Sequence, residues 1–257
     1  KEKGLCITAD QYPYVAGSTS LSACLPHWAM DGGPKAMLAR LTNENMRQKL
    51  KDVFKTPVPN WQNRGETEGW ENVVVASLRS DDPAVVGHSI AELSRAQDKH
   101  PVDVIMDILV REENEATMVC FQNSEENVKK VMQKPWVMVC TDGILGGGKP
   151  HPRLYGSFPR VLGKYVREEK VLSLEEAVRK MTALPAAAFG LADRGIIKEG
   201  LAADVVLFDP VKVRDTATYE DPKQYPIGVE YVIVNGVPVI NKGSLTGDLP
   251  GRVLLAR

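Results

Sequence analysis

"WVMVCTDGILGGGKPHPR", residues 136–153, is the stretch on which the fold turns: an apolar run over 136–141 ends in a carboxylate, Asp142, and is followed by four glycines, a lysine and an arginine. Short apolar or β-branched runs bounded by turn residues read as buried strands, and 4–9, 72–77 and 116–121 have the same form. Helical patterns lie between them. Apolar spacings of three and four run over 34–53 and 101–113, and Ser124 opens "SEENVKKVMQK" as an N-cap with acidic residues in the first turn. This alternation predicts an α/β fold with parallel βαβ units in the first part of the chain.

Working outward, 54–70 has two prolines and little periodicity, and reads as a loop or lid. Beyond 157 the patterns are helical: "FPRVLGKYVREE", then "SLEEAVRKM" with Ser173 and Glu176 as a capping box, then a short helix that Pro185 can start. From Gly195 the texture changes to β-branched runs, with Asn235-Gly236 as the turn of a two-residue hairpin. A small β unit therefore follows the α/β part.

The glycine-rich loop admits three readings. Gly143, Gly148 and Lys149 fit the spacing of a phosphate-binding loop, but Pro150 supplies no hydroxyl and biases Lys149 away from helical angles. Asp142-Gly143 also suits a plain turn. The third reading follows from position, because catalytic groups in barrels of alternating strands and helices project from the carboxyl ends of strands. Asp142 stands at such an end, and Asp10, Tyr12 and Ser18 occupy the end and exit loop of the first strand. Asp142 then suits a general base or an acid beside a metal, and Arg153 a substrate carboxylate.

Composition narrows the partners. Among 257 residues, Lys+Arg number 32 and Asp+Glu 33, with no basic concentration of the kind that nucleic acid or an anionic membrane needs. Hydrophobic content is 43% and no apolar run reaches the roughly 18 to 20 residues that cross a bilayer. Cys6, Cys24, Cys120 and Cys140 form no C-x-x-C pair, which favours a reducing, cytoplasmic setting. The first residue is Lys1 and a strand-like pattern follows at once, so the chain reads as part of something longer. His27, His88, His100 and His151 show no metal-ligand spacing, and only His151 lies near the proposed site, where a substrate contact competes with loop packing. Trp28, Trp61, Trp70 and Trp136 read as core or lid aromatics.

"YPYVAGST" (12–19), "TDG" (141–143), "KPHPRLYGSFPRVLGKYVRE" (149–168), "EEAVRKMTALPAAAFGLADRGIIKEGLAADVVLFDP" (175–210) and "YPIGVEYVIVNG" (225–236) together resemble the N-acyl-D-amino-acid deacylases of the amidohydrolase superfamily. The resemblance implies the carboxy-terminal part of a TIM-type barrel over 1–193, with an inserted segment at about 20–115, and part of a small β-sandwich over 194–257. It implies a zinc-dependent hydrolase that splits N-acyl-D-amino acids into a carboxylate and a D-amino acid. Asp142 matches the aspartate that moves the water's proton, and could touch the metal only marginally; Tyr12, Ser18 and Arg153, with His151 beside them, match the substrate-binding end. The histidines and cysteine that hold zinc in this family have no counterpart here, so the chain alone is expected to be inactive and, with unpaired strand edges, to self-associate. Rival expectations are a cyclic-amide or dipeptide hydrolase of the same superfamily, or a non-catalytic binding domain.

Overall fold

The computed structural model describes residues 4–5, 7–56 and 58–255. In chain order the strands are β1 (Ala9–Gln11), β2 (Ala16–Ser20), β3 (Val73–Ser77), β4 (Thr117–Phe121), β5 (Val137–Val139), β6 (Val205–Phe208), β7 (Val229–Val234), β8 (Val237–Asn241) and β9 (Ser244–Leu245). The α-helices are α1 (Gly33–Leu41), α2 (Glu44–Val53), α3 (Arg64–Thr67), α4 (Ile90–Gln97), α5 (Pro101–Arg111), α6 (Glu125–Met132), α7 (Arg153–Arg160), α8 (Leu174–Met181) and α9 (Ala183–Ala188). Two compact units share these elements. The first comprises Lys1–Tyr14, Ser124–Gly143 and Pro152–Arg257, the second Val15–Asn123 and Ile144–His151. Among the described residues, no helix is long and apolar enough to cross a membrane.

In the first unit β1 and β5 run parallel, with Ala9 opposite Val137, Asp10 opposite Met138 and Gln11 opposite Val139. The strand predicted over 4–9 therefore forms only from its last residue onward. Leu5 and Ile7 are exposed, because pairing begins where β5 supplies partners, and Cys6 lies outside the described residues. The backbone N–H of Cys140 donates to the Gln11 carbonyl at 3.0 Å and carries the pairing one step further. Trp136, read as a core or lid aromatic, is exposed.

Helix ends in this unit follow local chemistry. The Ser124 hydroxyl accepts from the Asn127 N–H at 3.2 Å and caps α6 as expected. At α8 the Ser173 hydroxyl accepts from the Glu176 N–H, but Glu176 turns its carboxylate to Arg179 at 2.7 Å, and the reciprocal half of the predicted capping box is not formed. Helix α9 begins at Ala183, so Pro185 sits inside its first turn, where a missing N–H costs nothing, instead of opening it. Pro159 lies inside α7 and has no N–H to give the preceding turn; the helix continues from Val161 to Glu168 with the wider π geometry.

Lys180 on α8 is buried and donates to the carbonyls of Lys134 and Val137, tying that helix to the start of β5. Burial pulls its ammonium below the usual lysine range, against the raising effect of Glu176. The last strands form an antiparallel sheet in the order β6-β7-β8-β9. Asn235 and Gly236 join β7 to β8 with φ of 50° and 82°, the left-handed pair that a two-residue hairpin requires.

The second unit holds an antiparallel sheet in the order β2-β4-β3, which overturns the expectation of parallel βαβ units throughout the first part. Alternation of strand and helix says nothing of direction when the sheet neighbours lie far apart in sequence; here Gly17 faces Cys120 and Val73 faces the same residue from the other side. The Val15 carbonyl accepts from the N–H groups of Gln122 and Asn123 at 3.3 and 3.0 Å, so the chain enters and leaves this sheet at one place. The helical pattern over 34–53 is two helices. Asn43 leaves the helical region at φ −91° and ψ 118°, and its side chain accepts from the Met46 N–H at 3.1 Å to start α2. The stretch read as a loop over 54–70 contains α3. Leu21, Leu41, Leu50, Val75, Ile105 and Met118 are among the buried side chains of the core, each worth about 1.5–3 kcal/mol on leaving water.

Candidate active site

Tyr12, Asp142 and Arg153 converge within the first unit. Because β1 and β5 are parallel, the segments that leave their carboxyl ends start from the same end of the sheet, and these segments carry Tyr12 and Asp142. Helix α7 begins at Arg153. Its side chain is 1% exposed, with Nη2 2.9 Å from Asp142 Oδ2, whose own side chain is 62% exposed. The guanidinium carbon lies 4.5 Å from the centre of the Tyr12 ring. A buried cation is thus backed by an aromatic face and meets solvent through a carboxylate.

Asp142 has φ 44°, a left-handed conformation that few residues other than glycine take readily. Asp and Asn tolerate it best, which fits an aspartate at the turn into the glycine loop. A Cβ at Gly143 would lie 2.8 Å from the end of the Leu154 side chain on α7, a contact that a shift of that side chain can relieve. Cys140, two residues before Asp142, is half-buried; burial first, and then the charges of Asp10 and Asp142, push its thiol up to about 11. It stays a neutral thiol near pH 7, consistent with a packing role.

Ser18 and His151 belong to the second unit. Ser18 is half-buried on β2, opposite Val119 of β4. His151 is buried, and its Nε2–H donates to the Ala16 carbonyl at 2.8 Å, so loop packing occupies that edge of the ring. The glycine loop is held in the same unit: the Lys149 N–H donates to the Ala76 carbonyl at 2.8 Å, and a Cβ at Gly148 would lie 2.7 Å from that oxygen. The other histidines serve local structure, His100 by accepting the Val102 N–H at Nδ1 as the cap of α5. Among the described residues, no three His, Cys, Asp or Glu side chains gather in a way that could hold a metal ion.

A profile described as the amidohydrolase family matches residues 43–240. The chain belongs to the amidohydrolase family. Among relatives of this family member, a D-aminoacylase from Alcaligenes xylosoxydans xylosoxydans is 41% identical over 172 residues, 67% of this chain and 34% of that protein. An N-acyl-D-glutamate deacylase from the same organism is 48% identical over 139 residues, 54% of this chain and 28% of that protein. The chain therefore spans about a third of the length of the curated relatives it matches. The crystal structure of the N-acyl-D-glutamate deacylase from Bordetella bronchiseptica, complexed with zinc and a phosphonate mimic of the reaction's tetrahedral intermediate, aligns with a TM-score of 0.70 and 33% identity. The alignment covers 93% of this chain and 40% of that one.

Sequence reasoning passed over three residues that the structure places around Tyr14, next to this site: Gly156 and Arg160 on α7, and Asp215. A glycine within a helical pattern and a second arginine seven residues after Arg153 were the available signals. Asp215 carried none.

Proposed function

We propose that these 257 residues supply the substrate-recognising part of a hydrolase that cleaves N-acyl-D-amino acids to a carboxylate and a free D-amino acid. The observation that carries this reading is the buried Arg153 guanidinium, stacked on Tyr12 and paired with the exposed Asp142. Its fork and permanent charge suit the carboxylate of the amino-acid half of the substrate. Asp142, open to solvent, takes the proton of the attacking water and returns it to the leaving amine. Ser18 and His151 are proposed as further contacts to the carboxylate end. In this reading 1–193 is the carboxy-terminal part of a TIM-type barrel, with about 20–115 inserted, and 194–257 is part of a β-sandwich. The support is that the segments carrying Tyr12 and Asp142 leave adjacent parallel strands at their carboxyl ends.

The zinc that the reading calls for does not fit the residues present, since no three candidate ligands converge among the described residues and Asp142 is engaged by Arg153. A catalytic zinc takes about three protein ligands, and those would stand outside this chain. The 257-residue chain by itself is accordingly proposed to be inactive, a cytoplasmic location is proposed, and unpaired edges are proposed to make it self-associate.

The test is hydrolysis of matched N-acetyl-D- and N-acetyl-L-amino acids by the whole polypeptide that carries this chain, with and without a chelator. Chelator-sensitive turnover of the D form is expected. Turnover of neither form, with zinc bound, would reassign the substrate, and activity of the isolated 257-residue chain would refute the metal argument.

A further inference from the structure

Two arginines seven residues apart share one face of α7, because seven residues make about two helical turns. Arg153 lies over Tyr12, and Arg160 lies over Tyr14 at 4.7 Å from the ring centre. Arg160 also grips the backbone between those tyrosines: its Nε–H donates to the Pro13 carbonyl at 2.9 Å. The Tyr165 hydroxyl is 3.4 Å from the same oxygen, but its single proton goes to Glu125 at 2.6 Å. Arg160 is then the donor that fixes Pro13.

What aims Arg160 is Asp215. Arg160 Nη1 donates to Asp215 Oδ2 at 3.0 Å, with side-chain exposures of 23% and 13%. The carboxylate comes from the stretch between β6 and β7, 55 residues beyond the arginine. Gly156 makes room for the meeting, since a Cβ there would lie 2.6 Å from the Tyr14 hydroxyl and 2.9 Å from Asp215 Cβ. Helix α7 thus carries two arginine clamps in register, each on one tyrosine and one aspartate.

From this chain of contacts we infer that Asp215 is a positioning residue for the carboxylate-binding end of the site. It orients Arg160, Arg160 holds Pro13 and Tyr14, and the held backbone sets Tyr12 against Arg153. A neutral group at 215 removes the charge that keeps the Arg160 guanidinium turned to this corner, and the Tyr12 segment loosens. The inference rests on the deacylase reading for its kinetic consequence, and on geometry alone for its structural one.

The kinetic test uses the whole polypeptide with N-acetyl-D-alanine, N-acetyl-D-leucine and N-acetyl-D-glutamate, comparing wild type with Asp215→Asn and Asp215→Glu. Asp215→Asn is expected to raise KM about tenfold with kcat within about twofold, and Asp215→Glu to recover most of the loss, because misplacement by a fraction of an ångström weakens binding without touching the reacting groups. An unchanged KM, or a loss of activity that vanishes once rates are normalised to the folded fraction, overturns the inference. The structural test is hydrogen exchange at Gln11, Tyr12 and Tyr14 in this chain, with Val73–Ser77 as the internal reference. Exchange about fivefold faster at the first three only is expected in Asp215→Asn and again in Gly156→Ala; equal rates in both segments overturn it. If wild type hydrolyses none of the three substrates, the deacylase reading fails, and the exchange result still decides the role of Asp215.

Discussion

The two clamps on α7 use the same three groups and invert their burial. At Arg153 the side chain is 1% exposed and its aspartate, Asp142, is 62% exposed; at Arg160 the side chain is 23% exposed and Asp215 is 13% exposed. A carboxylate that faces water keeps its hydration when its partner leaves, so the cost of opening that pair falls on the buried Arg153 side chain and is offset only when another anion takes the place of Asp142. A carboxylate mostly covered by protein, as Asp215 is, is left poorly compensated when its partner goes. The comparison teaches that the residue types alone do not set the environment of such a cluster, since the two pairs differ in the solvent access of their carboxylates.

Four substitutions would break or sharpen this contrast. Asp142→Asn is expected to lower kcat in the folded fraction of the whole polypeptide about 10³-fold, the scale of a lost general acid-base group; a loss of stability with kcat retained would merge the two clamps into one structural kind. Arg160→Met is expected to do the reverse. With Asp215 left mostly covered and unpaired, unfolding free energy should fall by about 1–3 kcal/mol, measured by urea titration, while wild-type kcat survives in the folded fraction.

Arg153→Ala is expected to cut kcat/KM about 30-fold to 100-fold for N-acetyl-D-amino acids and to leave their carboxamide derivatives nearly unaffected, since only the carboxylate gains a charge-assisted bond. Equal losses for acid and amide would remove Arg153 from substrate recognition. The smallest effect belongs to Glu125. Burial raises its carboxyl, but the hydrogen bonds and charge of Lys164 and the hydroxyl of Tyr165 outweigh this and hold it below the usual carboxylate range. A group whose folded pKa is depressed binds more protons when unfolded, so its contribution is present near neutrality and is lost as pH falls through that lowered value. Thermal melts from pH 7 down to about pH 3 should therefore drop less steeply for Glu125→Gln than for wild type. Parallel curves would show that Glu125 adds nothing to the clamp it braces.

Much of this was legible in the chain. Ser124 and the Asn235-Gly236 turn act on groups two or three residues away, and signals of that range are written in neighbouring residues. Where a second partner was involved, the same logic slipped: Glu176 chose Arg179 over the backbone it was expected to cap, and the pattern over 34–53 hid the break that Asn43 makes with its own side chain. The direction of the β2-β4-β3 sheet was invisible for the same reason, since Gly17 and Cys120 meet across a hundred residues of intervening chain.

By itself the sequence determined the α/β class, the helices after His100, Ser124 and Ser173, the Ser124 cap, the closing hairpin, the family resemblance and the candidacy of Tyr12, Asp142 and Arg153. All of these rest on spacing, turn chemistry or motif order, which are properties of the chain read in line. Tertiary structure alone decided that Arg153 would be buried with Asp142 in solvent, that Arg160 would find Asp215, and that Gly156 would be required between them. Burial and long-range pairing depend on which surfaces other segments cover, and no residue carries that information about its own surroundings.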